Sequence, residues 1–259
     1  MLHVHLTNDD GIRAKGVWYL YDALLDLADP VVFTPLRKRT GLSKSVSLGR
    51  LLKVRKVRVD SNHEGWAVDG TPADTVILYN KVAPDKPPDL VISGINDQYN
   101  LGLLSILTSG TLGACYQAAL SGVPSLGFAI GKLWNKPTIR AAAEASKQIV
   151  KVVAENGLPE GVDVLNINFP PRISNSTPLE VTDPILAAVR VTIDEKWSKT
   201  GERGYRVNGV LLDKFNAPPG SDWFAVKNKN AISVTPLSIG GIVSRDSMEE
   251  VRILLQDAF

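Results

Sequence analysis

The sequence predicts an α/β protein with a mostly parallel sheet flanked by helices and a C-terminal β-hairpin appendage. Short apolar runs alternate with amphipathic stretches over residues 1–170, which is typical of a parallel sheet covered on both faces. Beyond this point the pattern changes to short β-like pieces separated by Pro, Gly and charged residues. We therefore predict an α/β core over 1–177, a β-rich appendage over 178–235, and a C-terminal helix over 236–259 that returns to the core.

Each predicted element has a local signal. Strands are predicted where short apolar runs are bounded by turn residues, at Leu2–Leu6, Val31–Phe33, Leu90–Ile92, Ser125–Ile130 and Val162–Asn168. Helices are predicted where apolar residues recur at helical spacing or follow a cap, at Ala14–Ala28, after Thr71, from Ser109, at Pro137–Asn156 and at 246–255. In the appendage, β-like pieces lie at Val189–Ile193, Tyr205–Leu211 and Ala231–Val234.

Composition argues against several classes of protein. The chain has 259 residues, 44% of them hydrophobic and 22% charged, and a net charge of +2 gives no reason to expect a nucleic-acid polymer as partner. No apolar run approaches the length of about 18 residues that a membrane span needs, and no signal-peptide pattern is present, so we expect a cytoplasmic protein. The lone Cys115 lies in an apolar helical pattern and is expected to be a core thiol. The basic stretch Arg50–Arg58 fits a strand with one solvated cationic face better than a polyanion site.

An acidic pair lies directly after the first predicted strand. Asp9 and Asp10 belong to the sequence N-D-D-G, in which Gly11 ends the apolar run. Two adjacent ionised carboxylates repel each other, and a hard cation such as Mg²⁺ or Mn²⁺ relieves that repulsion. The carboxyl ends of parallel strands are also where open α/β sheets bind ligands. The same residues are ordinary turn chemistry, so this motif alone is compatible with a metal site and with a capped turn.

Three further polar loops follow predicted strands, and all four loops should meet at one edge of the sheet. The second loop supplies the hydroxyls of Thr40, Ser43 and Ser45 together with the three cations of R-K-R. The third loop supplies the amide of Asn96, and the fourth opens a helix at Ser109. Carboxylate, hydroxyl and amide oxygens suit Mg²⁺ or Mn²⁺, and a helix N-terminus suits a phosphate. The sequence contains neither a P-loop nor a dinucleotide-binding glycine pattern.

Six short motifs occur in an order that resembles the SurE family, the survival-protein nucleotidases. They are N-D-D-G, R-K-R-T-G-L-S-K-S, V-D-G-T-P-A-D-T-V, P-D-L-V-I-S-G-I-N, S-G-T-L-G-A and A-I-S-V-T-P-L. The resemblance covers residues 1–240 and is densest between 3 and 130. It implies a Rossmann-like fold and a phosphatase that hydrolyses nucleoside 5′- and 3′-monophosphates, and in some members polyphosphate. The implied cofactor is one divalent metal ion per subunit, Mg²⁺ or Mn²⁺.

The resemblance also implies roles for individual residues. The metal ligands would be Asp9, Asp10, Thr40 and Asn96, and the two aspartates would also be catalytic. The residues that would contact the substrate are Asn8, Gly41, Ser43, Asn100, Ser109, Gly110 and Thr111. Two departures stand out: Thr40 replaces the usual Ser, adding a methyl that stiffens χ1, and the loop 101–108 lacks the acidic residues common in relatives. The second departure leaves substrate preference open.

The expected chemistry is the transfer of a phosphoryl group to water. A metal would polarise the phosphorus and lower the pKa of a bound water, while Asp9 or Asp10 orients that water or accepts its proton. Ser109, Thr111 and the N–H groups at the helix start would stabilise the phosphate oxygens. Tyr99 is interpreted either as a base-stacking aromatic or as a loop tyrosine at an interface. The alternative functions are a phospho-acceptor domain and a nucleotide-binding module, neither of which turns over phosphate steadily.

A homo-oligomer, either a dimer or a tetramer, is expected in addition to a small-molecule phosphomonoester as the substrate. A two-stranded hairpin is marginally stable alone, and the SurE resemblance implies that the appendage is exchanged between subunits. We therefore expect the segment 185–215 to cross between subunits, since exchange of identical elements is a low-cost route to dimers.

Overall fold

The computed structural model describes residues 1–83, 86–131, 135–174, 176–186, 189–211 and 216–240. The strands are β1 (Leu2–Thr7), β2 (Ala28–Pro35), β3 (Val54–Arg58), β4 (Glu64–Val68), β5 (Leu90–Asn96), β6 (Ser125–Ile130), β7 (Val164–Phe169), β8 (Leu179–Val181), β9 (Val189–Trp197), β10 (Arg203–Leu211) and β11 (Ile232–Leu237). The helices are α1 (Lys15–Leu24), α2 (Pro72–Val82), α3 (Leu103–Thr108), α4 (Gly110–Leu120) and α5 (Lys136–Asn156), with a short π-helix at Phe224–Asn228.

The central sheet has nine strands in the order β3-β4-β2-β1-β5-β6-β7-β11-β8. The pairs from β4 to β7 are parallel, whereas β3 joins β4 and β11 joins β7 in antiparallel fashion. The α/β fold class is therefore confirmed. Among the described helices, none is long and apolar enough to cross a membrane.

Helices cover both faces of this sheet because its central strands are apolar on both sides. All seven residues of β5 are buried. Val4 and Leu6 of β1 belong to the largest core cluster, which includes residues of α1 and α5. Val91 of β5 packs on the opposite side with Val76 of α2 and Ala114 of α4. This two-faced burial explains the continuous apolar runs in the sequence.

Most core elements lie where the sequence predicts them, with differences at their ends. The helix after Thr71 begins with a complete capping box, in which the Thr71 and Asp74 side chains reciprocally bind backbone N–H groups. The helix predicted at Ala14–Ala28 is shorter, because β2 already begins at Ala28 and pairs with Leu2. Helix α3 and strand β4 were not predicted, since both are short and neither shows a clear period.

The appendage is smaller than the pattern indicates. Strands β9 and β10 form a separate two-stranded antiparallel sheet, as expected for a hairpin. The β-like piece predicted at Ala231–Val234 is instead the start of β11, which pairs with β7 and belongs to the central sheet, as does β8. Alternating apolar residues in β11 serve a core strand as well as a hairpin strand, so the sequence did not separate the two cases. The helix predicted at 246–255 lies outside the described residues.

Candidate metal and phosphate site

The loops predicted to converge do meet at the carboxyl ends of β1, β2 and β5. The backbone N–H of Arg39, in the loop after β2, donates to the carbonyl oxygen of Asp9 at 2.6 Å. The N–H of Asp97, directly after β5, lies 3.3 Å from Oδ2 of Asp10. The start of α4 is equally close, since a Cβ built on Gly110 would lie 2.8 Å from Cβ of Asp9. Only glycine fits at this position without displacing Asp9.

Asp9 is held deep in the site. Its side chain is buried, and Oδ1 accepts a hydrogen bond from the hydroxyl of Thr111 at 2.7 Å. Burial, with a contribution from the neighbouring charge of Asp10, raises the pKa of Asp9 to about 7. The hydrogen bond from Thr111 fixes the orientation of the Asp9 carboxylate, and both of its oxygens keep a lone pair that can bind a ligand.

Asp10 contacts Lys38, a cation of the loop after β2 that the sequence did not single out as a site residue. Nζ of Lys38 lies 2.6 Å from Oδ1 of Asp10 and 3.2 Å from Oδ1 of Asp97. Burial lowers the pKa of Lys38, but the two carboxylates outweigh it and raise the value above that of a free lysine. Lys38 therefore carries a positive charge between Asp10 and Asp97.

Asn96 presents an amide oxygen without a partner. The residue is 3% exposed, and its Nδ2 donates to the carbonyl of Gln98 at 2.8 Å. Oδ1 is buried and accepts no hydrogen bond from any residue that the structure describes. A buried oxygen left unpaired costs stability unless something else binds it, so this atom fits a metal ligand.

Asn8 shapes the acidic turn. Its Oδ1 accepts from the N–H of Gly11 at 2.9 Å and from the hydroxyl of Thr34, and its Nδ2 donates to the carbonyl of Gly11 at 3.1 Å. Gly11 has φ of +93°, and its Cα packs against the backbone of Arg37. The side-chain amide of Asn8, predicted to contact the substrate, is therefore occupied within the turn.

The loop after β2 docks on the junction between α3 and α4. The Ser43 hydroxyl donates to the carbonyl of Leu107 at 2.6 Å, and the Ser43 N–H donates to the carbonyl of Thr108 at 3.1 Å. Ser109 caps α4 by accepting from the N–H of Leu112 at 3.2 Å. The structure thus uses the Ser43 and Ser109 hydroxyls to fix the wall of the site. Thr40 and Gly41 lie exposed in this loop, next to Arg39.

Asn100 is positioned by two asparagines of β7 that were missed. The N–H of Asn100 donates to Oδ1 of Asn168 at 2.8 Å, and its carbonyl accepts from Nδ2 of Asn166 at 2.8 Å. Asp222 holds the next turn, since its Oδ2 accepts from the N–H of Gly102 at 2.7 Å. Polar residues within an apolar strand, as in N-I-N of β7, were the available signal for this network.

Tyr99 lies against a small core cluster beside the site. Its ring packs against Gly131, and Nζ of Lys227 lies 4.4 Å from the ring centroid. Burial raises the pKa of Tyr99 to about 12. These contacts show that part of the ring is already covered by protein; base stacking by Tyr99 stays a prediction.

The donor set fits one hard, oxygen-preferring cation better than a metal that prefers His or Cys ligands. No group of three or more His, Cys, Asp or Glu side chains suited to a metal is found among the described residues. Two carboxylates and an unpaired amide oxygen instead lie at this edge, and oxygen ligands of these kinds suit Mg²⁺ or Mn²⁺.

Comparison with known proteins relates this geometry to one family. A family model described as Survival protein SurE matches residues 4–196. The chain belongs to the SurE family. A relative from Methanocella arvoryzae, named 5′-nucleotidase SurE, is 33% identical, with 96% of each chain covered. Another relative of that name, from Thermococcus kodakarensis, is 36% identical over 98% of each chain.

The structural comparison agrees with the SurE assignment. The crystal structure of the SurE protein from Aquifex aeolicus superimposes with a TM-score of 0.79 and 31% sequence identity, covering 97% of this chain and 98% of that one. The family predicted from six motifs is therefore confirmed.

Proposed function

We propose that this chain is a divalent-metal-dependent phosphatase that hydrolyses nucleoside 5′- and 3′-monophosphates to nucleoside and phosphate. The observation that carries the proposal is the buried, unpaired Oδ1 of Asn96 at the edge where Asp9 and Asp10 meet the start of α4. Membership of a family whose relatives are named 5′-nucleotidase supports the substrate class.

The four predicted ligands would hold one Mg²⁺ or Mn²⁺ per subunit. They are Asp9, Asp10, Thr40 and Asn96. When bound, the ion supplies charge neutralisation at the phosphate and a more acidic water.

The chain itself supplies orientation and a proton acceptor. Thr111 fixes Asp9 through Oδ1, and the Asn8 turn fixes the direction in which Asp10 leaves β1. A carboxylate oxygen of Asp10 is the group proposed to accept the proton of the attacking water. The N–H groups at the start of α4 face the same edge, and they would bind the phosphate oxygens.

A phosphate-release panel tests this proposal. Purified protein is assayed with Mg²⁺ and with Mn²⁺ on purine and pyrimidine 5′- and 3′-monophosphates, a short polyphosphate and an aryl phosphate. We expect metal-dependent turnover of the nucleoside monophosphates. Turnover of the aryl phosphate alone would leave a phosphatase and remove the nucleotidase proposal, and nucleotide binding without turnover would favour a binding module.

We also propose that the protein is a homo-oligomer, a dimer or tetramer, that exchanges the β9–β10 hairpin. The hairpin pairs with no other strand among the described residues. Its apolar side chains, including Ile193, Trp197 and Val207, face outward. An isolated two-stranded sheet is marginally stable, so contact with a second subunit would stabilise it.

A further inference from the structure

The basic strand β3 borders a cavity that the proposed phosphatase reaction does not use. The cavity has a volume of about 260 Å³ and is lined by Leu36, Arg37, Lys53, Arg55, Ala67 and Asp69. It lies between the end of β2, the start of β3 and the end of β4. Hydrogen bonds from Leu36 to Val68 and from Asp69 to Lys53 fix these three segments together.

Three positively charged side chains line this cavity, and none of them is paired with a carboxylate among the described residues. Arg37, Lys53 and Arg55 form no ion pair with any residue that the structure describes. The one acid in the lining, Asp69, is already engaged, because Nη2 of Arg39 lies 2.8 Å and Nη2 of Arg50 lies 3.7 Å from its Oδ1. The cavity therefore has an excess of positive charge that nothing in the described chain neutralises.

The alternation of side chains along β3 concentrates this charge. Lys53 and Arg55 are two residues apart and share one face, on which Arg55 pairs with Ala67 of β4. Lys56 points to the other face and lies over the ring of Trp66 at 5.1 Å, while Arg58 pairs with Glu64. Lys53 and Arg55 therefore face the cavity, whereas Lys56 and Arg58 contact other side chains.

We propose that this cavity is a binding site for a short chain of linked phosphoryl groups, separate from the catalytic phosphate site. Three convergent cations suit a multiply charged anion, and Arg binds phosphate through paired N–H donors. A cavity of about 260 Å³ has room for a few linked phosphoryl groups, whose closely spaced charges match the three cations.

The site is distinct from the acidic pair but adjoins it. Arg37 lines the cavity, whereas the next residue, Lys38, contacts Asp10. The backbone of Arg37 packs directly against Gly11 of the acidic turn. Binding in the cavity needs no metal ion. It can therefore be measured under conditions in which the proposed phosphatase is inactive.

Calorimetry with tripolyphosphate in the presence of EDTA and at low salt tests the proposal. We expect binding by the wild type that weakens as salt increases. Arg55→Ala should weaken it about tenfold, because it removes one charge-assisted contact. The matched control, Arg58→Ala, removes the same charge from the same strand outside the cavity and should change affinity less than about twofold. Both side chains are exposed, so both variants should fold, which circular dichroism checks.

Three outcomes would overturn the site. These are no binding by the wild type, equal losses in the two variants (which would indicate general surface attraction), and equal affinity for orthophosphate (which would remove the requirement for linked phosphoryl groups). Phosphate release by Arg55→Ala should stay within about twofold of wild type. If the whole protein lacked phosphatase activity but bound tripolyphosphate as described, only the proposed function would fail.

Discussion

The edge of the sheet that holds Asp9, Asp10 and Asn96 uses polar and apolar side chains in the opposite way to the β9–β10 hairpin. At the edge, Asp9, Asn96 and Thr111 are buried. Thr111 of α4 donates a hydrogen bond to Asp9, and Asn96 donates one to the carbonyl of Gln98 in the loop after β5. On the hairpin, Ile193 and Val207 are 66% and 67% exposed. The comparison teaches that the sheet holds its polar side chains in place with contacts from its own chain. The hairpin instead exposes an apolar surface that another subunit can cover.

The largest expected effect is the loss of phosphate release when Asp9 is replaced. Asp9→Ala should reduce metal-dependent phosphate release by at least about a thousandfold, because a metal contributes several kcal/mol of charge stabilisation. The protein should stay folded by circular dichroism. Asp26→Asn is the matched control, since Asp26 pairs with Lys147 on the surface and should retain full activity. Activity of Asp9→Ala within about tenfold of wild type would contradict the ligand assignment.

The second prediction concerns the hairpin. Ile193 and Val207 are cross-strand partners, so Ile193→Lys with Val207→Lys introduces two charges into its apolar face. We expect light scattering to show a shift from an oligomer to a monomer of 28.0 kDa. The pair Thr192 and Asn208 lies one residue away, on the opposite face, and its double Lys variant should remain oligomeric. A wild type that is already monomeric at micromolar concentration would rule out exchange.

A smaller effect is expected at Thr40, which is exposed and is proposed as a metal ligand. Thr40→Val keeps the shape and removes the hydroxyl, so Mn²⁺ affinity should fall by about tenfold if that oxygen is a ligand. Thr40→Ser should keep or raise the affinity, because it removes the methyl that stiffens χ1. Titration calorimetry with Mn²⁺ measures both. Equal affinities for wild type and Thr40→Val would direct attention to another hydroxyl of the same loop.

The smallest effect concerns the stability of the fold and a residue outside both regions, His63. Both ring nitrogens of His63 face carboxylates, with Nδ1 2.8 Å from Asp60 and Nε2 2.9 Å from Asp22, while Trp18 and Tyr21 pack on the ring. Burial lowers the pKa of His63, but Asp22 and Asp60 outweigh it and raise the value.

A raised pKa in the folded state sets the sign of the pH dependence. The stabilisation from the His63 imidazolium is fully present below its unfolded pKa of about 6.5 and is lost as pH rises through the folded value. The difference in free energy of unfolding between wild type and His63→Gln should therefore be larger at acidic pH than at alkaline pH. Denaturant titrations measure it, and a pH-independent difference would contradict the pairing.

Sequence reasoning located the elements that carry strong local signals. N-D-D-G, the Thr71 cap and the Ser109 cap each combine a strand or helix boundary with a residue type that few other contexts favour. Contacts between residues that are far apart in sequence could not be predicted from such local signals. Lys38 reads as one of several surface cations until the fold brings it to Asp10, and Asp222 meets Gly102 across 120 residues of sequence.

The position of a strand in the sheet also depends on contacts that are distant in sequence. Strand β11 has the alternation of a hairpin strand, and only its pairing with β7 places it in the core. Helix α3 has six residues, too few to establish a helical period.

The two margins of the nine-stranded sheet have a consequence for how the protein remains dispersed. Unpaired backbone groups on an outer strand invite other chains to add to it, and charged side chains or brevity discourage this. At one margin β3 carries Arg55, Lys56 and Arg58, and at the other β8 has only three residues. Within the part of the chain that the structure describes, aggregation through strand addition would therefore begin at the apolar β9–β10 ribbon. Covering that ribbon would protect the protein against precipitation as well as complete its assembly.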